Sequence, residues 1–340
     1  MFAQQIDIYL KDYLGINDGS RVLFISTFPK DGLLAMVVNR SADISTITDY
    51  KHSSAVDSEK LVELFLGYDV ISFVSEKSSI FPKETRAALK SLGDARINTY
   101  RTFDFSEALF ENCFNIPKSE LKSTNDKLIH LLRGTKSIFV RSRIGTDLRI
   151  KVDSRFLVIN SCGDHAADYP GTLPPSEIAT CSDFLEGQMV VDGAVNGNFR
   201  LFGDITLDKN PLTVRFENDE IVSAHCDNKV VETQVHNFLQ LENARKVGEV
   251  GIGTNYGHRG FIAVNSHINE RFPSLHIGLG AHNQNETKLD WTCSKHLDLI
   301  LGYCDVFFDE RLVLSDGHFL LDDIVMEPID FRGDAFMDVF

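Results

Sequence analysis

The 340-residue sequence has no C-x-x-C pair. Its six cysteines (Cys113, Cys162, Cys181, Cys226, Cys293 and Cys304) lie far apart, which removes thiolate zinc knots and dithiol redox motifs and leaves them as mostly buried thiols. No apolar run approaches the roughly 18 residues needed to cross a bilayer, so no membrane partner is expected. There is no basic stripe either: Lys and Arg number 34 against 49 Asp and Glu, the net charge is -15, and the short basic clusters are mixed with acids. A nucleic-acid partner is therefore not expected, because nothing is set to neutralise phosphates. The opening stretch MFAQQIDIYLKDYLG lacks a basic n-region and an apolar h-region, from which a cytoplasmic chain is expected. In such a chain the glycosylation sequons at Asn39 and Asn285 carry no weight. No internal repeat or low-complexity segment is visible.

What is present is a globular composition, 43% hydrophobic and 24% charged, in a chain too long for one ordinary core. Two domains are the natural expectation, with a change of texture near Gly145. Residues 1–144 read as an α/β domain: the strand-like runs RVLFIS, DVISFVS and SIFV alternate with the helical stretches SEKLVELFLG, PKETRAALKSLG and PKSELKSTNDKLIHLLRG, as in a largely parallel sheet. Pro117 suits the start of the third helical stretch and Gly134 its stop. Residues 145–340 read as a β-rich α+β domain of short antiparallel strands broken by turn dipeptides, among them Asp192-Gly193, Asn196-Gly197 and Asp316-Gly317. One helix, NKVVETQVHNFLQLENARK, interrupts them. The acidic tail EPIDFRGDAFMDVF, with its spaced aromatics, reads as a docking arm or a frayed end.

Histidine is unevenly spread. Only His52 and His130 precede the boundary and nine follow it, so metal or acid–base chemistry belongs to the second domain. Four blocks there carry candidate ligands. GTLPPSEIAT offers Glu177, VGEVGIGTNYG offers Glu249, NERFPSLHIGLGAHN offers Glu270 and His276, and KHLD offers His296 and Asp298. On an extended chain His296 and Asp298 face the same way with Leu297 opposite, like adjacent ligands of one ion. Each block has a plainer reading: Glu177 as a cap, LHIGLG as a buried strand with a satisfied core histidine, His-x-Asp as a chance surface pair. The glycines around Glu249 lack the spacing and the following helix of a phosphate loop. Co-occurrence favours metal. Oxygen and imidazole ligands without thiolate suit zinc, manganese, cobalt or iron, and the excess of carboxylates suits a pair of ions, which bridging carboxylates hold close together. Glycine beside a ligand lets backbone approach where a Cβ would collide.

In order and identity these blocks resemble the thermophilic metalloaminopeptidase family of the aminopeptidase T and aminopeptidase S type. Gly145-Thr146-Asp147-Leu148, Leu173-Pro174-Pro175-Ser176-Glu177, Gly248-Glu249 leading to Gly253-Thr254-Asn255, Glu270, His276-Ile277-Gly278-Leu279-Gly280, His296-Leu297-Asp298 and Asp316-Gly317 follow one another as in the family. The match runs from about Gly145 to Leu320; before it, only the α/β texture and PKSELKSTNDKLIHLLRGTKSIFVRS agree. The resemblance implies an aminopeptidase T-like fold and two divalent ions held by Glu177, Glu249, His276, His296 and Asp298, with Glu270 as bridging ligand or general base. A homodimer is compatible with the family, although no residue here marks one. There are departures. Asn283 stands where the family has a tyrosine, so His282 or Tyr256 is the candidate replacement as oxyanion donor, and the stretch from His276 to His296 is short.

Three functions follow as alternatives. The first is a metal-dependent peptidase or amidase acting on a peptide or small amide. The second is a mononuclear iron(II) oxygenase like the ring-cleaving 2,5-dihydroxypyridine dioxygenases, built on His276, His296 and Asp298. The third is a peptide-binding protein that no longer cuts, motivated by Asn283.

Overall fold

The computed structural model describes residues 2–52, 60–77, 83–92, 97–165, 170–284 and 288–324. The chain is a mixed α/β protein with three sheets among the described residues, and it divides into two compact units, Met1–Leu121 with Ser161–Pro175, and Lys122–Asn160 with Ser176–Phe340. The sequon at Asn285 and the tail from Glu327 lie outside the described residues.

The first unit is built on a five-stranded sheet in the order Ile47–His52, Arg21–Ser26, Val70–Val74, Asn98–Thr102, Gly171–Leu173, and every neighbouring pair is parallel. Five of the six residues of RVLFIS are buried. Such burial on both faces is what a central parallel strand requires. Helices Gly32–Ala42, Leu61–Phe65 and Lys83–Leu92 connect the strands in sequence, and Leu61, Phe65, Ala88 and Leu89 pack on Leu23, Ile25 and Ile71. The stretch SIFV, expected in this sheet, is not part of it. Strand Ser137–Arg141 buries alternate residues and runs antiparallel between Asp147–Val152 and Asp305–Phe308 in the second unit. One-sided burial suits an antiparallel sheet, whereas a central parallel strand would bury both faces.

The second unit carries two sheets over one core. The eight-stranded sheet runs in the order Glu220–Cys226, Leu212–Glu217, Ser182–Val191, Asp147–Val152, Ser137–Arg141, Asp305–Phe308, Arg311–Ser315, His318–Phe319. Its last hairpin turns at Asp316-Gly317 with φ of 45° and 79°, the double positive φ that an Asp-Gly turn supplies. The six-stranded sheet runs Ala194–Gly197, His296–Ile300, Leu275–Gly280, Val247–Gly253, Glu177–Thr180, Ile159–Ser161. Two expected turns are corrected here. Asp192-Gly193 closes no hairpin but carries the chain from one sheet to the other, and Asn196-Gly197 lies within a strand, opposite Asp298 and Leu297. Ladder pairing with His296–Ile300 overrides the local turn preference of the dipeptide.

Helix Lys229–Phe238 starts where Asn228 accepts hydrogen bonds from Val230 and Val231, and it sends Val231, Val235 and Phe238 into the core. Helix Lys118–Leu132 adds Leu128, Ile129 and Leu132 to that core. Five of the six cysteines are buried, Cys293 is half-buried, and none is disulfide-bonded. No helix among the described residues is long and apolar enough to cross a membrane.

Candidate metal centre

Register decides what the six-stranded sheet can do. Glu249 lies opposite Gly278, Gly278 opposite Asp298, and Asp298 opposite Asn196, while Gly251 lies opposite His276 and Gly253 opposite Glu177. Directly paired residues share a face and residues two apart along a strand share it too. Glu177, Asn196, Glu249, His276, His296 and Asp298 therefore project from one face. The intervening Ile178, Val195, Val250, Ile252, Ile277, Leu279, Leu297 and Leu299 project from the other and form part of the apolar core. The alternation that marks these stretches as strands thus also sorts polar donors from core.

Two of the glycines on the polar face leave room for the imidazoles. A Cβ on Gly251 would come within 2.0 Å of His276 Nε2, and a Cβ on Gly278 within 2.5 Å of His296 Cε1 and 2.8 Å of Glu249 Cβ. The imidazoles lie over these glycines, so the backbone cradles rings that any larger residue would displace.

The donors form two groups. Glu177, Glu249 and His276 each offer an atom within 4.8 Å of the others, and so do Glu249, His296 and Asp298. Glu249 belongs to both. His276 Nε2 lies 2.9 Å from Glu177 Oε1 and 3.4 Å from Glu249 Oε1, yet with His276 fully buried neither of its ring nitrogens makes a hydrogen bond. A buried nitrogen facing two carboxylate oxygens off the hydrogen-bonding direction is the arrangement of atoms converging on a common centre. His296 is oriented on its other side: Nδ1 lies 2.7 Å from the Ala281 carbonyl oxygen and Nε2 2.7 Å from Asp298 Oδ1. Imidazole and carboxylate donors at this density, without thiolate, fit a divalent metal.

Glu270 stands on the short turn Asn269–Arg271, buried, and accepts a hydrogen bond from Asn196 Nδ2. Three neighbours that are not among the expected ligands shape this centre. Arg271, 4% exposed, pairs its Nη1 with Glu177 Oε2, and its Nη2 lies 3.6 Å from Glu270 Oε2. Asn196 was hidden in an apparent turn. Asn283, noted only for the tyrosine it replaces, donates from Nδ2 to Glu249 Oε2 at 2.7 Å. Arg271 follows Glu270 directly, and a polar triplet such as NER carries no mark of burial; the signal existed only in tertiary contact.

The two expected oxyanion donors sit differently. His282 has Nδ1 3.1 Å from the Gln284 carbonyl oxygen and Nε2 2.7 Å from that of Trp291, with its ring edge-on to Trp291. Both nitrogens face the main chain, so a donor would have to leave one of these carbonyls to reach a substrate. Tyr256 is 40% exposed, beside the strand that carries Glu249.

Burial and charge set the proton inventory without metal. Burial alone would disfavour a charged His296, but the Asp298 charge and hydrogen bond outweigh it and push the imidazole up to about 10. His276 is likewise raised well above its usual value, burial being outweighed by its two glutamates. Burial tends to raise Glu177, yet Arg271 and His276 hold it down to about 2. Glu270 goes the other way, with burial, helped by Asp298 and Glu177, pushing its carboxyl up to about 8 against the opposing charges of His267 and Arg271.

No protein-family model matches the chain, and no curated protein does. Solved structures with the same fold exist. A 2,5-dihydroxypyridine dioxygenase from Pseudomonas putida KT2440 is similar with a TM-score of 0.60 at 16% identity, over 95% of this chain and 99% of that one. Wild-type AmpT from Thermus thermophilus is similar with a TM-score of 0.61 at 15% identity, over 94% of this chain and 98% of that one. At these identities the likeness is one of fold, and the fold is compatible with the chemistry of either.

Proposed function

We propose that the chain is a metal-dependent hydrolase of the peptidase or amidase type, with Glu177, Glu249, His276, His296 and Asp298 holding two divalent ions (zinc, manganese or cobalt). The observation that carries this reading is Glu249, common to both ligand groups. A carboxylate placed between two sets of donors is what a bridged pair of ions needs. Bound there, the ions would supply the Lewis acid that polarises an amide carbonyl and eases ionisation of a water.

The chain's own residues do the rest. Asn283 and Arg271 hold the outer oxygens of Glu249 and Glu177, leaving the inner oxygens turned toward His276. Glu270 is the proton carrier: its buried carboxyl, on the turn Asn269–Arg271 beside Arg271, would take a proton from the attacking water and return it to the departing amine. Asn196 fixes the Glu270 carboxyl group by its hydrogen bond. The substrate is a peptide or small amide.

The test is metal content per chain after loading, followed by cleavage of a panel of unblocked and blocked peptides. Two ions per chain, lost in Glu249→Ala, with amide cleavage, is the expected result; two ions with binding but no cleavage of any peptide would leave a peptide-binding protein.

A second reading is favoured by the dioxygenase fold match and by His276, His296 and Asp298 sharing one face, two imidazoles and a carboxylate suited to one iron(II). One iron per chain that survives Glu249→Ala, with oxygen consumed on a dihydroxylated aromatic ring, would establish it in place of the hydrolase.

A further inference from the structure

We propose that the two metal positions are unequal: the position formed by Glu249, His296 and Asp298 binds first and tightly, and Arg271 makes the position formed by Glu177, Glu249 and His276 the weaker one. This rests on the two-ion reading above and adds the order of filling and its cause. Each group has two carboxylates and one imidazole. They differ in what stands behind them. Glu177 is ion-paired through Oε2 to the buried guanidinium of Arg271, which also lies 3.6 Å from Glu270. Among the described residues, no arginine or lysine pairs with Glu249 or Asp298. The outer oxygen of Glu249 is held by Asn283, a neutral donor.

With neutral imidazoles the group of Glu249, His296 and Asp298 therefore carries two negative charges. The group of Glu177, Glu249 and His276 also carries two, but with a fixed positive charge in direct contact. Arginine does not lose its proton in a protein, so this charge is permanent, and in a buried site it is poorly screened by salt. A cation entering beside Glu177 meets it at every pH. It also meets the first ion, because Glu249 is shared. Oxygen-ligand sites tune cation affinity through the charge their ligands present, and Arg271 reduces that charge on one side only.

The experiment is calorimetric titration of the full metal-free chain with cobalt(II) alone, the visible cobalt spectrum recorded in parallel. The wild type should show two steps separated by roughly tenfold or more in affinity, on the scale by which groups behind the ligands shift metal affinity. Glu177→Gln should abolish only the weaker step. Arg271→Gln, which removes the charge, should tighten the weaker step and bring the two together, while Arg271→Lys, which keeps it, should preserve the gap. Two equal steps in the wild type, or a gap unchanged in Arg271→Gln, would overturn the proposal while leaving the two-ion site standing. Weakening of the second step in both arginine variants would also overturn it, showing that Arg271 acts by orienting Glu177. A single ion at saturation in the wild type would remove the two-ion reading itself.

Discussion

Gly251→Ala tests the site through one methyl group. The added Cβ would fall 2.0 Å from His276 Nε2, 2.4 Å from Cε1 and 2.8 Å from Cδ2, against an ordinary carbon contact of about 3.5–4 Å. The ring must therefore retreat by more than 1 Å, roughly 1.5 Å, from a position now 2.9 Å from Glu177 Oε1. His276 is fully buried on a strand paired on both sides, so the displacement is resisted. Overpacking of this kind costs about 1–3 kcal/mol. At roughly 2–4 °C per kcal/mol for a unit of this size, the metal-free variant should melt a few degrees below wild type. The larger effect is on metal. A ligand nitrogen moved by more than its bond tolerance of about 0.2 Å leaves the coordination sphere. Metal content should fall from two ions to one, read by elemental analysis beside thermal unfolding of the metal-free form. Gly134→Ala is the control, because its Cβ would meet only the Leu131 carbonyl oxygen at an ordinary 3.7 Å. A Gly251→Ala protein that keeps both ions with wild-type affinity would refute the placement of His276 as a ligand.

Further predictions follow from the same geometry. His276 and His296 hold protons in the metal-free centre, so metal binding should release protons and tighten as pH rises, measurable by titration in buffers of different ionisation enthalpy. The sign for the metal-free protein is the reverse. Raised folded-state values stabilise below the unfolded ones and are lost above, so His296 (6.5 to about 10) and Glu270 (4.5 to about 8) should make its melting temperature fall between pH 5 and 10. Metal stabilisation measured by calorimetry should grow across that window. Asn283→Ala removes a hydrogen bond to a buried carboxylate, for a loss of roughly 10–100-fold in metal affinity by cobalt titration, and an unchanged affinity would refute its role in holding Glu249. Ile277→Ala, on the apolar face between His276 and Gly278, should destabilise by about 2–5 kcal/mol in denaturant unfolding while leaving the ion count intact.

Much of the architecture was legible because local patterns report burial. RVLFIS has an unbroken apolar centre, Val22 to Ile25, and proves a central parallel strand, and Asp316-Gly317 makes the hairpin its positive φ values allow. The stretch beginning NKVVETQVHNF forms the helix its pattern suggests, with Asn228 as its cap. Patterns failed where pairing partners lie far away. SIFV is apolar enough for either kind of sheet, and only its neighbours at 147–152 and 305–308 make it antiparallel. Gly171–Leu173, distant in the chain from Asn98–Thr102, completes the parallel sheet. Asn196-Gly197 carries a turn preference that long-range pairing suppresses.

For the candidate centre, the sequence alone determined the chemistry of the donors: carboxylates and imidazoles without thiolate, set among glycines on alternating strands. That information is carried by residue identity and by the two-residue period of a strand. Only the tertiary structure decided which donors meet. Register placed Glu249, Gly278, Asp298 and Asn196 in one row and put His276 over Gly251. It also brought Arg271 against Glu177, 94 residues away along the chain. The reason is that hydrogen bonds between strands join residues without regard to sequence distance, so a slip of one residue would have turned every candidate donor into the core.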